Sequence, residues 1–205
     1  MSEHSLTIFT MPSEITRRQL EIIQAAGRIM TESGVGGLTI KNLAKEMRFS
    51  ESAIYRHFKS KEDIIIAMLK YLEKTLDELY ERAVKLADVP EEKLIQLFLQ
   101  KFNFFRINPH FAVVVFSDGL MESSEAVNKA IHDIFKVKQK HLNPIIEEGQ
   151  AMGVFTNELS GDQLIHLIMG SVRLQMLKWR IAHFDFDIVV AGNQQLTNIL
   201  KLITK

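Results

Sequence analysis

Residues 38–61 read LTIKNLAKEMRFSESAIYRHFKSK, and two short helices fit this stretch with little freedom. Thr39 is a good N-cap for a two-turn helix on which Leu43, Ala44 and Met47 share one apolar side. Ser50, only a few residues later, caps a second short helix from Glu51 to about Phe58. Two short helices around a three- or four-residue turn form a helix-turn-helix. The second helix turns Ile54 and Phe58 inward at i and i+4, which leaves Glu51, Ser52, Tyr55, Arg56 and the nearby His57 for another surface. Hydrogen-bonding and planar side chains of these types read base edges and phosphates in a major groove. Lys61 falls in the first turn of the next helix, where free amides and the positive dipole end favour a phosphate. Spacing alone leaves open a purely structural pair of helices.

Outward from this stretch, apolar residues recur at helical spacing almost everywhere: Leu20, Ile23, Ala26 and Met30, then Ile64, Met68, Leu72, Leu76 and Leu79. No convincing strand pattern occurs. Gly34, Gly36 and Gly37 end the first helix, Ser60 caps one from about Lys61 to Leu86, and Pro90 and Pro109 stand where later helices begin. Pro144 falls inside a helix from about Ser124 to Met152 and is expected to kink it. The reading is an all-α chain of about nine helices, three near the N-terminus followed by a larger helical body.

Composition agrees. The chain has 205 residues, 46% hydrophobic and 24% charged, with zero formal net charge. That is one domain or two small ones, with enough apolar content to fold without staples. There is no cysteine, which excludes disulfides, thiolate metal sites and cysteine nucleophiles and favours the cytoplasm. The first 13 residues carry no Lys or Arg, and no apolar run is longer than that from Phe111 to Phe116, far short of the ~18 residues of a membrane span. A soluble, unexported protein with no membrane partner is expected. The neutral total hides an asymmetry, since residues 1–61 hold nine Lys/Arg against six Asp/Glu. A local basic patch fits a polyanion and equally fits a solvated face.

The chain resembles the TetR family of bacterial transcriptional regulators. The likeness rests on Ala25-Ala26, Gly34, Leu38-Thr39, Leu43-Ala44, Phe49-Ser50, Ala53-Ile54-Tyr55-Arg56-His57-Phe58 and Lys59-Ser60-Lys61-Glu62. It covers about a quarter of the chain and implies an N-terminal arm over 1–13, a DNA-binding domain over 14–60 and a sensing and dimerisation domain over 61–205. It implies DNA contacts by Thr39, Lys41, Ser50, Ser52, Tyr55, His57 and Lys61, with Tyr55 and Lys61 on phosphates. Where the family has Gly in the turn, this chain has Arg48. That residue must either adopt a left-handed conformation or reshape the turn. The resemblance further implies dimerisation through the last two helices and a small-molecule pocket whose occupant changes the separation of the two DNA-reading heads.

The body residues can be read on their own. Between Gly161 and Phe184, one apolar stripe is formed by Ile165, Ile168, Met169, Val172, Met176 and Trp179, and another by Leu167, Leu174, Leu177 and Ile181. A helix with two apolar stripes is buried on two sides. One side belongs to its own core; the other fits a partner subunit, together with Leu196, Ile199, Leu200 and Ile203 of the final helix. Burial inside a monomer gives the same pattern. Phe98, Phe102, Phe105, Phe116, Met121, Phe135 and Met169 are expected to surround a pocket, with His141 and Arg173 as anchors for an acidic group on a hydrophobic effector. The same residues would also fill a core.

Enzyme chemistry finds no footing: there is no HExxH pair, no phosphate loop and no nucleophile beside a recognisable base, and Asp162 with His166 is the only metal-like spacing. No cofactor and no metal are expected. The combined reading is a cytoplasmic, homodimeric, ligand-responsive DNA-binding regulator that represses by occupying a palindromic operator. The alternatives are a DNA-binding regulatory or architectural protein without an inducer, and a helical protein-interaction module.

Overall fold

The computed structural model describes residues 15–117 and 124–204; the expected arm over 1–13 and Met121 lie outside them. These residues form nine α-helices and no named strand. They are α1 (Arg17–Gly37), α2 (Ile40–Met47), α3 (Glu51–Tyr55), α4 (Lys61–Ala83), α5 (Pro90–Ile107), α6 (His110–Val115), α7 (Glu125–Ala151), α8 (Gly161–Ile181) and α9 (Ile188–Ile203), with a 3₁₀ turn over Val84–Leu86 continuing α4. Most of the helices start at a side-chain cap: Thr16, Thr39, Ser50, Ser60, Ser124, Ser160 and Asp187 each accept a bond from a first-turn amide. Such caps are worth about 1 kcal/mol apiece. At α5 the proline itself takes the first position, where its missing N–H costs nothing.

The first helix does not stop at Gly34. Gly34 adopts φ +66° and the chain then makes one more turn to Gly37. α7 runs through Pro144, which lies on its exposed side.

α1, α2 and α3 form the head, closed by Ile22, Ile23, Ala26, Met30, Leu43, Ile54 and Phe58. α4 leaves the head and enters the body. Its Ile64, Met68, Leu72, Leu76 and Leu79 are all buried at helical spacing, and it packs on α1 and α6 at one end and on α5 and α7 along its length. The short α6 docks on α1, so a segment of the body touches the head directly. α9 packs on α5 and α8, and the turn after α7 is tied to the end of α9 by Thr156 N–H to the Ile203 carbonyl at 2.7 Å.

The two stripes of α8 differ in burial, with Leu177 of the second half-buried against the core. Ile165, Ile168, Val172, Met176 and Trp179 are in the core, while Leu167, Leu174 and Ile181 are 52%, 53% and 68% exposed. The final helix corrects the sequence reading. Leu196, Ile199, Leu200 and Ile203 are at most 7% exposed within the single chain, so they belong to its own core rather than to a face for a partner. The cause is close packing: Gly192 brings the α9 backbone against the Phe102 ring of α5, and Gln195 donates to the Ser171 hydroxyl of α8 at 2.7 Å. Val190 and Leu202 are the large apolar residues α9 leaves outward, at 67% and 82% exposure.

A Cβ at Gly192 would stand 2.5 Å from the Phe102 ring, whereas one at Gly170 in α8 would meet nothing within 4 Å. Gly192→Ala is therefore expected to destabilise by about 1–3 kcal/mol through overpacking. Gly170→Ala is expected to stabilise by roughly 0.5–1 kcal/mol through lower chain entropy in a helix. Urea titration followed by circular dichroism measures both, and equal midpoints for the two variants would show that α9 does not sit this close to α5.

Candidate nucleic-acid interface and effector cavity

The helix-turn-helix is held by its own polar side chains. Thr39 Oγ accepts from Asn42 N–H at 3.0 Å, and the Asn42 side chain returns a bond to the Gly37 carbonyl at 2.8 Å. Arg48 closes α2 in the left-handed conformation, φ 56° and ψ 42°, with Phe49 N–H reaching back to the Ala44 carbonyl at 2.8 Å. The turn thus keeps its ordinary shape with an arginine in place of the expected glycine. Ser50 Oγ caps α3 and stands 2.9 Å from Ser52 Oγ.

Ile54 and Phe58 lock α3 onto the head's core. On the other side Glu51, Ser52, Tyr55, Arg56 and His57 are exposed, as are Thr39, Lys41 and Ser50 beside them. Tyr55 is 50% exposed, unusual for a tyrosine with no partner surface. Glu46 is engaged by Arg28 at 2.9 Å, so the unpaired charge of this face is mostly positive. Lys61 is placed differently from the sequence expectation of a free phosphate ligand. Its ammonium donates to the Val35 carbonyl at 2.8 Å, tying the start of α4 to the last turn of α1.

A second concave feature lies in the body. A cavity of about 380 Å³ is lined by Phe98, Phe116, Phe135, Met169 and Arg173 among the residues singled out from sequence. Three others lie elsewhere. Phe102 is filled against by Gly192, Phe105 stacks edge-on with Phe104, and His141 is bonded to Asp77 Oδ1 at 2.6 Å and meets Tyr80 edge-on. His141 therefore serves the α4–α7 contact and is not an anchor.

The sequence reading missed Lys101 and Lys138, which also line the cavity. Lys101 is on the core face of α5 at 7% exposure; a lysine at a core position of an amphipathic pattern was the signal available. Burial holds its ammonium well below the ordinary lysine range, and the nearby Lys138 adds to this. Lys138 is pushed down to about 8 by burial, with Arg173 contributing.

The cavity and the head are joined by α6. Phe116, just after α6, lies in the cavity wall and its carbonyl accepts from the Arg180 guanidinium. At the other end His110 lies on Gly27 of α1, where a Cβ would be 2.7 Å from the ring. Only a glycine there allows this approach.

Residues 22–68 match the family described as bacterial regulatory proteins, tetR family, and residues 68–204 match a family described as YsiA-like protein, C-terminal region. The chain belongs to the TetR family of bacterial regulators. The fatty acid metabolism regulator protein of Bacillus subtilis (strain 168) is 25% identical over 179 residues, covering 87% of this chain and 92% of that protein. The HTH-type transcriptional repressor KstR2 of Mycolicibacterium smegmatis is 26% identical over 195 residues, covering 95% and 94%. Among solved structures, the transcriptional regulator FadR from Bacillus subtilis in complex with stearoyl-CoA superimposes with a TM-score of 0.77 at 25% identity, over 88% of this chain and 97% of that one.

In this TetR-family chain the α1–α6 contact is one place where body meets head, and it has a titratable group in it. Burial lowers the His110 pKa from 6.5 to about 4, with Arg28 adding to the effect. The folded protein thus holds His110 neutral where the unfolded chain would protonate it, so stability present above pH 6.5 is lost as pH falls towards 4. The loss assigned to this residue is on the order of 2–3 kcal/mol. His110→Gln should flatten the decline between pH 6.5 and 4.5 in urea titrations; parallel pH profiles for the two proteins would remove His110 as its source.

Proposed function

We propose that this TetR-family chain is a ligand-responsive repressor that acts in the cytoplasm as a homodimer on a palindromic operator. The observation that carries the reading is the joint geometry of exposed α3 and doubly striped α8. The first offers a reading surface; the second offers the apolar face that pairs two such surfaces.

The DNA contacts are assigned to Thr39, Lys41, Ser50, Glu51, Ser52, Tyr55, Arg56 and His57, with Lys61 reaching a phosphate from the start of α4. Ser52, Arg56 and His57 suit base edges, and Lys41, Tyr55 and Lys61 suit the backbone. The sensing and dimerisation domain begins with α4, which carries the body's core up into the head. Leu167, Leu174, Leu177 and Ile181 of α8, joined by Val190, form the dimer face. Symmetric pairing is the commonest way to cover such a face.

The effector enters the cavity between α4, α5, α7 and α8. Displacing Phe116 there moves α6, and α6 bears on α1 through His110 and Gly27. An effector releases DNA only by binding the non-DNA-binding arrangement more tightly, by ~1–3 kcal/mol in a typical coupled system, and DNA must then weaken effector binding by the same factor. The stearoyl-CoA of the Bacillus subtilis complex supports a hydrophobic effector for this chain too.

Full-length protein is expected to shift a palindromic fragment from its own promoter region, with log affinity falling linearly against log salt. Tyr55→Ala should weaken all sequences alike and Ser52→Ala should change preference at individual bases. Equal operator affinity for Tyr55→Ala and the parent protein would argue for an interaction module instead.

Light scattering is expected to give twice the chain mass, and Leu174→Arg to give monomers whose operator affinity falls by at least tenfold, because only one head then binds at a time. A Leu174→Arg protein that remains dimeric would place the dimer face elsewhere. Unchanged operator binding with every hydrophobic acid or thioester tried would favour a regulator without an inducer.

A further inference from the structure

Three cations from three helices converge on the body cavity, and each rests on a phenylalanine of its wall. Lys101 Nζ of α5 lies 5.3 Å from the Phe98 ring centroid, Lys138 Nζ of α7 lies 4.6 Å from that of Phe135, and the Arg173 guanidinium of α8 lies 5.1 Å from that of Phe116. Among the described residues, Lys101, Lys138 and Arg173 make no ion pair and no hydrogen bond. Among the described residues, the one carboxylate lining the cavity is Asp162, an exposed residue in the first turn of α8. The other described titratable groups facing it are His132 and His166, both exposed, and the buried Tyr80 phenol, which burial keeps neutral.

We propose that this cavity takes a compact, apolar organic acid with its free carboxylate turned inward onto Lys101 and Lys138, and Arg173 held at the rim. The proposal rests on the reading of the cavity as the effector site and specifies what that effector is. An unpartnered ammonium in a buried wall is costly, and the ring faces beneath these cations offset only a small part of that cost. An anion between the two lysines supplies the missing partner.

The buried end of the ligand decides the class. A methyl terminus pressed against Lys101 would strip it of its remaining solvent and give nothing in return, so an acyl chain inserted tail-first is disfavoured. The acyl chain of a thioester carries no charge, and its coenzyme A portion is too bulky for a space of about 380 Å³. That volume is near the lower end of the roughly 300–1,000 Å³ typical of small-molecule sites. Phe98, Phe116, Phe135 and Met169 supply apolar walls for the remainder of a short aliphatic or aromatic acid.

Binding of this kind takes up protons. A lysine that is neutral in the empty cavity gains one proton from solvent as the carboxylate arrives, R–NH2 becoming R–NH3⁺. Lys138, at about 8 in the empty cavity, is charged below that pH and must be recharged above it. Affinity therefore falls as pH rises; recharging Lys138 alone costs about tenfold per pH unit above about 8.

The test is calorimetric titration of the full-length protein with octanoate, 4-phenylbutyrate, octan-1-ol and octanoyl-CoA. Titrations at pH 7 and 9, in buffers of different ionisation enthalpy, give affinity and proton uptake together. Octanoate and 4-phenylbutyrate are expected to bind about tenfold more weakly at pH 9 than at pH 7 and with proton uptake at pH 9, and octan-1-ol and octanoyl-CoA to bind worse than octanoate at pH 7.

Lys101→Met should weaken both acids at least tenfold while raising the melting temperature of the empty protein and improving octan-1-ol. Tighter binding of octanoyl-CoA than of octanoate, acid binding at pH 9 without proton uptake, or acid affinity unchanged by Lys101→Met would each overturn the proposal. Octanoyl-CoA that binds and releases operator would overturn it while leaving the ligand-responsive reading intact. Failure of all four compounds to bind would remove both.

Discussion

Everything in this molecule hangs on the burial of one side of α4. Its 23 residues span about 34 Å at 1.5 Å per residue, and the apolar row from Ile64 to Leu79 is continuous over most of that length. At the N-terminal end the row belongs to the same core as Ile54 and Phe58; further along it meets α5 and α7. Head and body are consequently not beads on a linker, and a shift of α4 is shared by both. The two family matches meet at Met68, inside this helix rather than beside it.

The constraint also explains why the short elements are shaped as they are. α3 has five residues, too few to be stable alone, and is held by two anchors, Ile54 and Phe58, that reach the α4 core. α6 is scarcely longer and almost wholly apolar, buried on all sides between α1 and the body. Such pieces keep their conformation only through their neighbours, so they are the natural places for one part of the chain to report on another.

The head was largely legible in the sequence because its information is local. Thr39, Ser50 and Ser60 cap helices by bonds to residues three positions on, and the conformation of Arg48 follows from the turn it must close. The two stripes of α8 were legible as well, but not which faced inward, since that depends on how α9 lies. Leu196 and Leu200 have the same periodicity whether they face a partner or α5; the deciding feature, the missing side chain of Gly192 beneath Phe102, is a contact between residues 90 positions apart.

The cavity shows the same limit. A phenylalanine at helical spacing reads alike as wall or filling, and Phe102 and Phe105 proved to be filling. Lys101 and Lys138 are 37 positions apart in the chain, so their shared cavity has no trace in local spacing. His141 reads from sequence as an anchor for an acidic group, whereas its partner Asp77, 64 positions away, uses it for structure.

The bond from Lys61 to the Val35 carbonyl has a consequence for the energetics of recognition. A long flexible side chain that is ordered only at an interface loses roughly 1.5–2 kcal/mol of rotamer freedom there. Lys61 undergoes that ordering when the chain folds, because the end of α1 already holds it. Its ammonium has three hydrogens and Val35 occupies one, so an anion arriving at the first turn of α4 meets a donor that is preset and still has two bonds to offer. The same strut makes the tail of α1 a silent participant: whatever pulls on the lysine also pulls on the residue pair that follows Gly34.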